Sequence, residues 1–387
     1  MKLTASTTEK ELAATWSGTA EPGDPCAGML REALGAATAL EWVLANNPGM
    51  PQNLPGGDAL LPGIPWLECH ARWHGRATDF DVHGALKSLR RIGGYLITPG
   101  DPNWPTQLDD LEFRAPPALW AAGEGDPEML RAPSVSVVGA RACSSYGRRT
   151  AGQLAYELSA VDIPVISGGA YGIDAAAHQG ALDACEDLAL PQQMATVAVI
   201  CGGLANLYPA GHRELFDRIR KLGLVIAEGP PHWRPARWRF LERNRLIAAL
   251  SQMTVIVEAG IRSGAVATAN RAADLGREVG AVPGAVTSPS SDGCHELIRA
   301  GAQLIRGSDD VRATFGLSTG GSVDTGGPAL PARLQIIFDA LPLMGKARAD
   351  SVAKAAGLSP TETSLALIEL QLQGRVEALP DGWWERR

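Results

Sequence analysis

The stretch that decides the fold runs from Ser134 to Ala181 and reads SVSVVGARACSSYGRRTAGQLAYELSAVDIPVISGGAYGIDAAAHQGA. A β-branched run at Val135–Val138 is followed by a turn rich in small residues, and Arg148–Val161 then carries apolar residues at helical spacing. The pattern repeats in the second half, where PVIS ends in two glycines and another helix opens near Asp174. The stretch therefore predicts a βαβα unit with glycines at both strand ends.

The two strand ends have the composition of an anion site. In an open parallel sheet, ligands bind at the carboxyl ends of the strands, where helix N-termini present unpaired N–H groups. Glycines let the backbone approach an anion closely, and serine hydroxyls donate hydrogen bonds to it. The strict dinucleotide and P-loop motifs are absent, so close helix–strand packing remains an alternative reason for the glycines. The candidate residues are Gly139, Ser144, Ser145, Ser167, Gly168, Gly169 and Gly172.

The composition limits the classes of protein to which this chain can belong. The 387 residues are 45% apolar and 20% charged, as expected for a globular chain of about two or three domains. The net charge of −7 gives no overall attraction for nucleic acid, so any basic surface must be local. The six cysteines form no Cys-x-x-Cys pair, and no histidine stands at metal-ligand spacing. We expect reduced thiols, no metal or cofactor, no export signal or membrane span, and a cytoplasmic location.

Changes of pattern along the chain predict its domains. Apolar residues recur at helical spacing between Cys26 and Ala45 and again before Gly94, whereas the passage after Gly94 is extended and rich in proline. A Gly- and Ser-rich linker follows the sheet region. The predicted segments are a flexible tail (1–25), a small helical domain (26–93), a strap leading into the sheet (94–133), an α/β domain (134–316), a linker (317–331) and a winged-helix-like domain (332–387).

The α/β domain continues with four further predicted strands. Each strand ends in a polar or glycine-rich turn, so these turns all lie at the same edge of the sheet. Close packing alone does not require such a turn after every strand, so the pattern favours a ligand site. The strands are Ala195–Ile200, Leu224–Glu228, Thr254–Glu258 and Glu278–Pro283.

One connection is basic and aromatic. The segment HWRPARWRFLERNR, His232 to Arg245, holds five arginines, two tryptophans and a phenylalanine against the single acid Glu242. Guanidinium groups pair with phosphates and aromatic faces stack on unpaired bases, so the segment predicts contact with single-stranded nucleic acid. Basic residues of the preceding helix would extend the patch. The alternative is a surface loop whose arginines form internal ion pairs.

Three predicted helices and a hairpin close the chain. The helices are Arg333–Leu341, Ala347–Leu358 and Thr361–Gly374, and Arg375–Trp384 reads as a hairpin, which together make a winged helix-turn-helix. The third helix, where a major-groove reader normally presents cations, carries Glu362 and Glu369 and no Lys or Arg. This favours a protein contact for the module.

A series of motifs in one order carries a family resemblance. The motifs are VVGAR, SYG, SGGAYGIDAAAH, GGLANLYP, ERNRLIAALS, VEAGIRSGAVATA and VPGAVTSPSSDGCHELIRAGA, spread between Gly94 and Phe315. They resemble the DNA-processing protein family called DprA or Smf. The resemblance implies an extended Rossmann-like doubly wound sheet that binds single-stranded DNA, forms a homodimer and helps load the RecA recombinase in natural transformation or DNA recombination. It implies no catalytic reaction.

The residues of this chain that match the family's motifs are implied to contact DNA. Three departures are visible: Leu241 stands where many members have proline, an arginine replaces the usual lysine after LYPAGH, and an insertion at Leu188–Gln193 precedes the third strand. The cationic contacts implied are Arg141, Arg213, Arg243 and Arg245; the stacking residues are Trp238 and Phe240; and the pocket lining is Gly139, Ser144, Ser167, Gly168, Gly169 and Gly172.

Other functions remain open at this point. A nucleotide-processing enzyme related to the lysine-decarboxylase-like phosphoribohydrolases would use Glu258 as an acid or base, although this chain lacks that family's Pro-Gly-Gly-x-Gly-Thr loop. Glu258 otherwise serves to hold the loop at its strand end. Asp174 and His178 have the spacing of an acid–base pair but also of a helix cap with a packed neighbour, and Cys143 has no adjacent base. A scaffold that has lost its ligand is the third possibility.

Overall fold

A nine-stranded mixed sheet organises the larger part of the chain, within the residues that this computed structural model describes: 7–49, 51, 64–190, 195–317, 330–342, 346–379 and 382–386. Its strands are β1 (Gly94–Ile97), β2 (Leu119–Ala122), β3 (Val135–Val138), β4 (Val165–Ser167), β5 (Thr196–Ile200), β6 (Leu224–Ala227), β7 (Met253–Ile256), β8 (Glu278–Ala281) and β9 (Gln303–Leu304).

The strand order is β1-β2-β6-β5-β4-β3-β7-β8-β9. The seven strands from β6 to β9 in that order are parallel, whereas β1 and β2 pair antiparallel at one end. Every residue of β3 to β7 is buried, as expected for parallel strands covered by helices on both faces. The predicted doubly wound α/β sheet is confirmed.

Helices cover the sheet and form the N-terminal domain. The N-terminal helices are α1 (Glu9–Thr19), α2 (Pro25–Leu34), α3 (Ala36–Leu44), α4 (Trp66–Asp79) and α5 (Val82–Arg91). The helices around the sheet are α6 (Ser145–Ser159), α7 (Ile173–Asp187), α8 (Arg213–Leu222), α9 (Arg237–Leu250), α10 (Gly264–Asp274), α11 (Asp292–Arg299) and α12 (Ser308–Thr314). Within the described ranges, no helix has the length and apolar character that a membrane crossing requires.

The prediction of a flexible tail over 1–25 is wrong for α1. Thr8 caps this helix and forms a capping box with Glu11, which satisfies two N-terminal N–H groups. Trp16 is buried edge-on against Trp73 of α4 at 6.3 Å between ring centroids, and its indole N–H donates to Ala36 O at 2.9 Å. The Ser- and Thr-rich composition hid the apolar face because small residues of the helix are buried beside that tryptophan.

The segment predicted as a strap belongs to the sheet. Its residues form β1 and β2, and β2 pairs with β6, so a boundary at residue 134 divides one sheet. One 3₁₀ segment, Thr106–Arg114, lies between β1 and β2, and a second, Pro127–Arg131, lies between β2 and β3. Trp120 lies in β2, fully buried, and donates to Ser17 Oγ of α1 at 2.9 Å. The N-terminal helices therefore pack on this end of the sheet.

The C-terminal residues form a separate unit from residue 319 onward. The unit has three helices, α13 (Ala332–Ala340), α14 (Ala349–Ala356) and α15 (Pro360–Leu372), and, among its described residues, a three-stranded sheet of order β10-β12-β11. The sheet strands are β10 (Ala347–Arg348), β11 (Val376–Leu379) and β12 (Trp383–Arg386). This arrangement confirms the predicted winged helix. Residues 318–329 of the predicted linker lie outside the described residues.

Candidate nucleic-acid interface

The centre of the sheet contains the point where the strand order reverses. From β3 the chain builds β4, β5 and β6 on one side, then returns to place β7 on the other side of β3. The loops after β3 and β7 therefore diverge at their carboxyl ends and leave a crevice, the usual ligand position in an open α/β sheet.

A cavity of about 610 Å³ occupies this crevice. Its walls come from the loop after β3, the start of α7, the outer turns of α9 and the N-terminus of α10. The volume lies in the ordinary range of ligand sites. The polar and aromatic lining residues are Arg141, Asp174, Tyr208, Arg237, Phe240, Arg243, Asn244, Ser263 and Thr268.

Arg141 and Phe240 meet at the mouth of the cavity. The Arg141 guanidinium lies over the Phe240 ring at 5.0 Å, and the arginine is exposed. Tyr208 packs edge-on against Phe240 at 5.6 Å and is 48% exposed. A cation and two aromatic rings thus share one accessible surface. Tyr208 was not among the predicted site residues, although it lies in the motif GGLANLYP.

Arg243 forms part of the cavity floor and is only 6% exposed. Its Nη1 donates to Gly168 O at 2.8 Å and also to Val199 O, so much of its hydrogen bonding goes to strand-end carbonyls. A Cβ on Gly168 would lie 2.1 Å from this nitrogen, which explains the glycine. Arg243 therefore places positive charge beneath the cavity, and its guanidinium is not exposed for a surface contact.

Asp174 lies beside this arginine and is also buried. Burial raises the pKa of the Asp174 carboxyl, while the charge of Arg243 and N–H donors, among them Ala170 N at 3.3 Å, act in the opposite direction. The carboxyl lies in the first turn of α7, as a helix-start acid does. His178 is one turn further along α7 and fully buried, and its Nδ1 contacts Thr196 Oγ1 at 2.7 Å. This geometry fits packed helix residues rather than an accessible acid–base pair.

The remaining predicted glycines are explained by close packing. Gly172 has φ of 82°, and a Cβ there would lie 2.2 Å from Ala140 O. A Cβ on Gly139 would meet Ile173, and one on Gly169 would meet the Phe216 ring, at 2.7 and 2.8 Å. Gly139 lines the cavity, but Gly168, Gly169 and Gly172 are not among its lining residues, so the prediction that they line the pocket is wrong.

Two of the three predicted serines, Ser144 and Ser167, bind protein groups. Ser144 caps α6 and donates its hydroxyl to Glu258 Oε1 at 2.5 Å, while its backbone N–H donates to Oε2 at 2.8 Å. Ser167 is fully buried and donates to Val137 O at 2.7 Å. The prediction that Ser167 lines the pocket is therefore wrong, because the last residue of a buried strand points its side chain into the sheet packing. Glu258, in turn, joins the loop after β7 to the loop after β3.

Arg213 begins α8 and is exposed. It has no hydrogen bond or ion pair with another residue in the part of the chain that the structure describes. It does not line the cavity, but it follows His212, whose Nδ1 contacts Gly169 O at 3.0 Å and whose ring packs on Tyr171 at 4.4 Å. Tyr171 is half-exposed at the same strand edge and was also missing from the prediction, despite its place in SGGAYG.

The basic segment divides between the surface and internal pairs. Within the described residues, Arg234 and Arg237 are exposed and make no side-chain ion pair. Trp238 is 56% exposed and its indole N–H donates to Glu21 Oε2 at 3.2 Å, whereas Arg239 is ion-paired to the same carboxylate. The alternative of internal ion pairs therefore holds for Arg239, whereas Arg234 and Arg237 are exposed cations.

The prediction that Arg245 contacts DNA is contradicted by the structure. Its side chain is 1% exposed, and it donates to Glu228 Oε1 at 2.7 Å and to Arg114 O at 2.8 Å. The segment from Arg237 is helix α9, and residues two apart on a helix point about 200° apart. Because Arg243 faces the cavity, Arg245 must face away from it.

Two family models match the chain. The model described as DNA recombination-mediator protein A matches residues 95–316, and the DprA winged helix domain matches residues 328–382. A DNA processing protein DprA of Mycobacterium tuberculosis is 42% identical over 314 residues, covering 77% of this chain and 78% of its own. Protein Smf of Escherichia coli is 32% identical over 311 residues, covering 78% and 80%.

Solved structures agree with this match. DNA processing protein A of Streptococcus pneumoniae superimposes with a TM-score of 0.61 at 29% identity, over 81% of this chain and 98% of that one. DNA processing protein A of Helicobacter pylori, whose structure concerns its single-stranded DNA binding mode, gives 0.50 at 28% identity, over 57% and 95%. The chain therefore belongs to the DNA recombination-mediator protein A family, whose curated members carry the names DprA and Smf.

Proposed function

We propose that this chain binds single-stranded DNA at the crevice between β3 and β7. The observation that carries the proposal is the accessible surface formed by the Arg141 guanidinium, the Phe240 ring and the Tyr208 ring beside the cavity. Cations neutralise phosphates and exposed rings stack on bases, a combination that suits an unpaired strand. The single-stranded DNA binding mode described for the Helicobacter pylori neighbour supports it.

A single strand fits this surface better than a duplex. Tyr171, Tyr208 and Trp238 are about half exposed, and ring faces stack on bases only where those bases are unpaired. Arg213, Arg234 and Arg237 supply further exposed cations at the same strand edge. Affinity should therefore depend on salt and little on sequence.

The protein works by positioning DNA rather than by catalysis in this proposal. We propose that it holds incoming or recombining single strands in the cytoplasm, acts as a homodimer and assists loading of the RecA recombinase, in natural transformation or in DNA recombination. The family description as a recombination mediator supports this role.

The winged module is proposed to contact protein. Leu365, Ile368 and Leu372 are exposed on α15 at positions i, i+3 and i+7, so they share one face of the helix. Glu362 lies on the same helix, and its pKa is lowered by hydrogen bonds from Ser359, so it carries negative charge that would repel phosphates. An apolar and acidic helix suits a protein surface better than a major groove.

A nucleotide-processing enzyme is the alternative. It would need Glu258 as an acid or base, but both carboxylate oxygens accept hydrogen bonds from Ser144. This contact supports a structural role for the carboxylate. Release of free base from a nucleoside monophosphate, abolished by Glu258→Gln, would favour the enzyme instead.

The deciding experiment is a fluorescence-anisotropy titration with labelled oligo-dT and with a duplex of equal length, at two salt concentrations. We expect salt-sensitive binding to the single strand and much weaker binding to the duplex. Arg141→Glu should weaken binding. Lys87→Glu is the control, because it makes the same charge reversal on α5, which packs against the edge strand β1 outside the proposed site. Absence of single-strand binding at low salt would refute the proposal.

A further inference from the structure

The N-terminal helical domain reaches the basic segment through one carboxylate. Glu21, in the loop between α1 and α2, accepts from Arg239 Nε at 2.9 Å, from Arg239 Nη2 at 3.0 Å and from Trp238 Nε1 at 3.2 Å. Arg76 of α4 completes the set at 2.8 Å. A bidentate guanidinium pair with two further donors is a strong, geometrically defined contact.

Glu21 is charged in this setting. Burial of the carboxylate opposes its ionisation, but the donors from Arg239 and Trp238 and the charge of Arg76 outweigh burial and lower its pKa. The charge keeps all three partners in place at neutral pH.

Arg239 is held on every side by protein groups. Its guanidinium lies over the Trp233 ring at 3.9 Å, and its Nη1 donates to Arg234 O at 2.8 Å. With the other two nitrogens on Glu21, this arginine is a structural member of the segment. It does not serve as a phosphate contact.

Trp238 is held differently. Its N–H is bound by Glu21, yet 56% of the residue is exposed, so the carboxylate fixes the indole edge and leaves ring surface accessible. Leu241, three residues on and therefore on the same face of α9, lines the cavity. Arg237, the residue before Trp238, also lines the cavity, so the indole lies beside the edge of the cavity, on the side of α9 away from Arg243.

The loop that carries Glu21 is itself attached to the α/β unit. Gly23 N donates to Glu228 Oε1 at 3.3 Å, and Arg114 Nη1 donates to Gly23 O at 3.3 Å. These contacts on both sides of one glycine set the position of the carboxylate relative to α9.

We propose that Glu21 is a positioning residue for Trp238: through it, the N-terminal helical domain holds the indole beside the edge of the cavity, ready to stack on an unpaired base. The inference rests on the proposed function. An aromatic side chain fixed before binding loses less conformational entropy when a base stacks on it, which strengthens binding without any new contact. It also gives the helical domain a role in DNA binding that no motif of that domain indicated.

A double-mutant cycle tests the coupling. Glu21→Ala should weaken oligo-dT binding by about three- to tenfold, the range for one side chain that must be ordered on binding. In a Trp238→Ala background the same change should have no further effect, whereas in an Arg213→Ala background the two effects should multiply. An equal effect in all backgrounds, or tighter binding by Glu21→Ala, would overturn the proposal.

Two further variants separate positioning from folding. Glu21→Gln keeps an oxygen acceptor for the indole N–H and should recover part of the affinity. Glu11→Ala removes the capping box of α1 without touching Trp238, so it should lower stability and leave DNA affinity unchanged. Equally weakened binding in Glu11→Ala would assign the effect to the domain's stability and overturn the specific role of Glu21.

A measurement without DNA keeps the inference distinct from the proposed function. In protein labelled with 5-fluorotryptophan, the ¹⁹F resonance of Trp238 is the one that disappears in Trp238→Phe. In Glu21→Ala it should sharpen and move toward the position of the free amino acid, and in Glu11→Ala it should stay unchanged. An unchanged resonance in Glu21→Ala would overturn the positioning role. If Glu21→Ala shows this shift but the wild-type protein binds no oligo-dT, only the proposed function is refuted.

Discussion

Arg243 and Arg245 lie two residues apart on α9 and serve opposite sides of it. Arg243 donates to the strand-end carbonyls Gly168 O and Val199 O beneath the cavity, whereas Arg245 forms a buried ion pair with Glu228 on the far side. The same short motif therefore supplies one charge to the candidate site and one to the attachment of the N-terminal loop.

Arg245→Met should lower the free energy of unfolding by about 3 kcal/mol, because it leaves the Glu228 carboxylate buried without its partner. Urea unfolding followed by tryptophan fluorescence measures the change. Arg299→Met removes an exposed pair with Glu296 at 2.9 Å and should cost less than about 1 kcal/mol. Folded Arg245→Met removes no DNA contact and acts only through the loop that carries Glu21, so its DNA affinity should fall no further than that of Glu21→Ala; a larger loss would mean that Arg245 itself contacts DNA.

Arg141→Glu should weaken oligo-dT binding by at least about tenfold at moderate salt, because it reverses an exposed charge beside Phe240. If the variant neutralises one phosphate fewer than wild type, the slope of log affinity against log salt should become shallower by about 0.7. Anisotropy titrations over a salt series measure both quantities. A variant with lower affinity but an unchanged slope would mean that Arg141 acts only through the aromatic ring it covers.

Tyr208→Ala should weaken single-strand binding by about 1–3 kcal/mol, the usual contribution of one stacked base. The ring is half-exposed and rests edge-on against Phe240, so its free face is available to a base. Tyr208→Phe keeps the ring and removes only the hydroxyl, and its affinity should match that of wild type. If Phe weakens binding as much as Ala, the hydroxyl rather than the ring makes the contact.

The strands and winged module could be predicted because each depends on local pattern. Buried parallel strands such as β5 and β7 are short β-branched or apolar runs bounded by turns, and that signal needs no tertiary information. Helix α1 was not predicted because its buried side chains are mostly small, and the composition of its segment resembles that of a polar tail.

The site was predicted only in part because side-chain direction depends on partners far away in the chain. Ser167 and Arg245 carry the residue types of an anion site, but the first is bound by Val137 and the second by Glu228. The segment before Arg245 has no strong amphipathic pattern, so its helix, and the opposite directions of its arginines, were not visible. Tyr208 lies within a visible motif, but charges and glycines are the signals of an anion site, and a single tyrosine in a turn carries neither.

Ser144 and Glu258 should be energetically coupled. The serine donates through both its hydroxyl and its N–H to the two carboxylate oxygens, and the hydroxyl also caps α6. Ser144→Ala and Glu258→Gln should each lower the free energy of unfolding by about 1–2 kcal/mol, and the double variant should cost less than the sum. Strict additivity in urea unfolding would show that the loops after β3 and β7 do not depend on this contact.

His178 should make the protein acid-labile. The Thr196 hydroxyl donates to Val165 O at 2.6 Å, so it must accept from the His178 Nδ1–H at 2.7 Å, and the ring is fully buried. Burial, helped by the positive charges of His212 and Arg243, lowers the pKa of His178 from 6.5 to about 3. Below pH 6.5, and down to about pH 3, His178 is therefore protonated in the unfolded state but neutral in the folded state. The free energy of unfolding should fall by up to about 1.4 kcal/mol per pH unit down to about pH 3, and this group contributes no dependence above pH 7.

The difference between wild type and His178→Gln isolates this proton. Burial raises the pKa of Asp174, which gives a dependence of opposite sign because a carboxyl with a raised pKa stabilises the fold at low pH and loses that contribution as pH rises. That dependence is present in both proteins and cancels in the difference. Urea unfolding from pH 4.5 to 8 should show a constant offset above pH 7 and a steeper decline for wild type below pH 6. His232→Gln, at an exposed position, should follow the wild-type profile. Parallel profiles for wild type and His178→Gln would mean that the folded protein accepts the proton, and that the ring is not held neutral between α7 and β5.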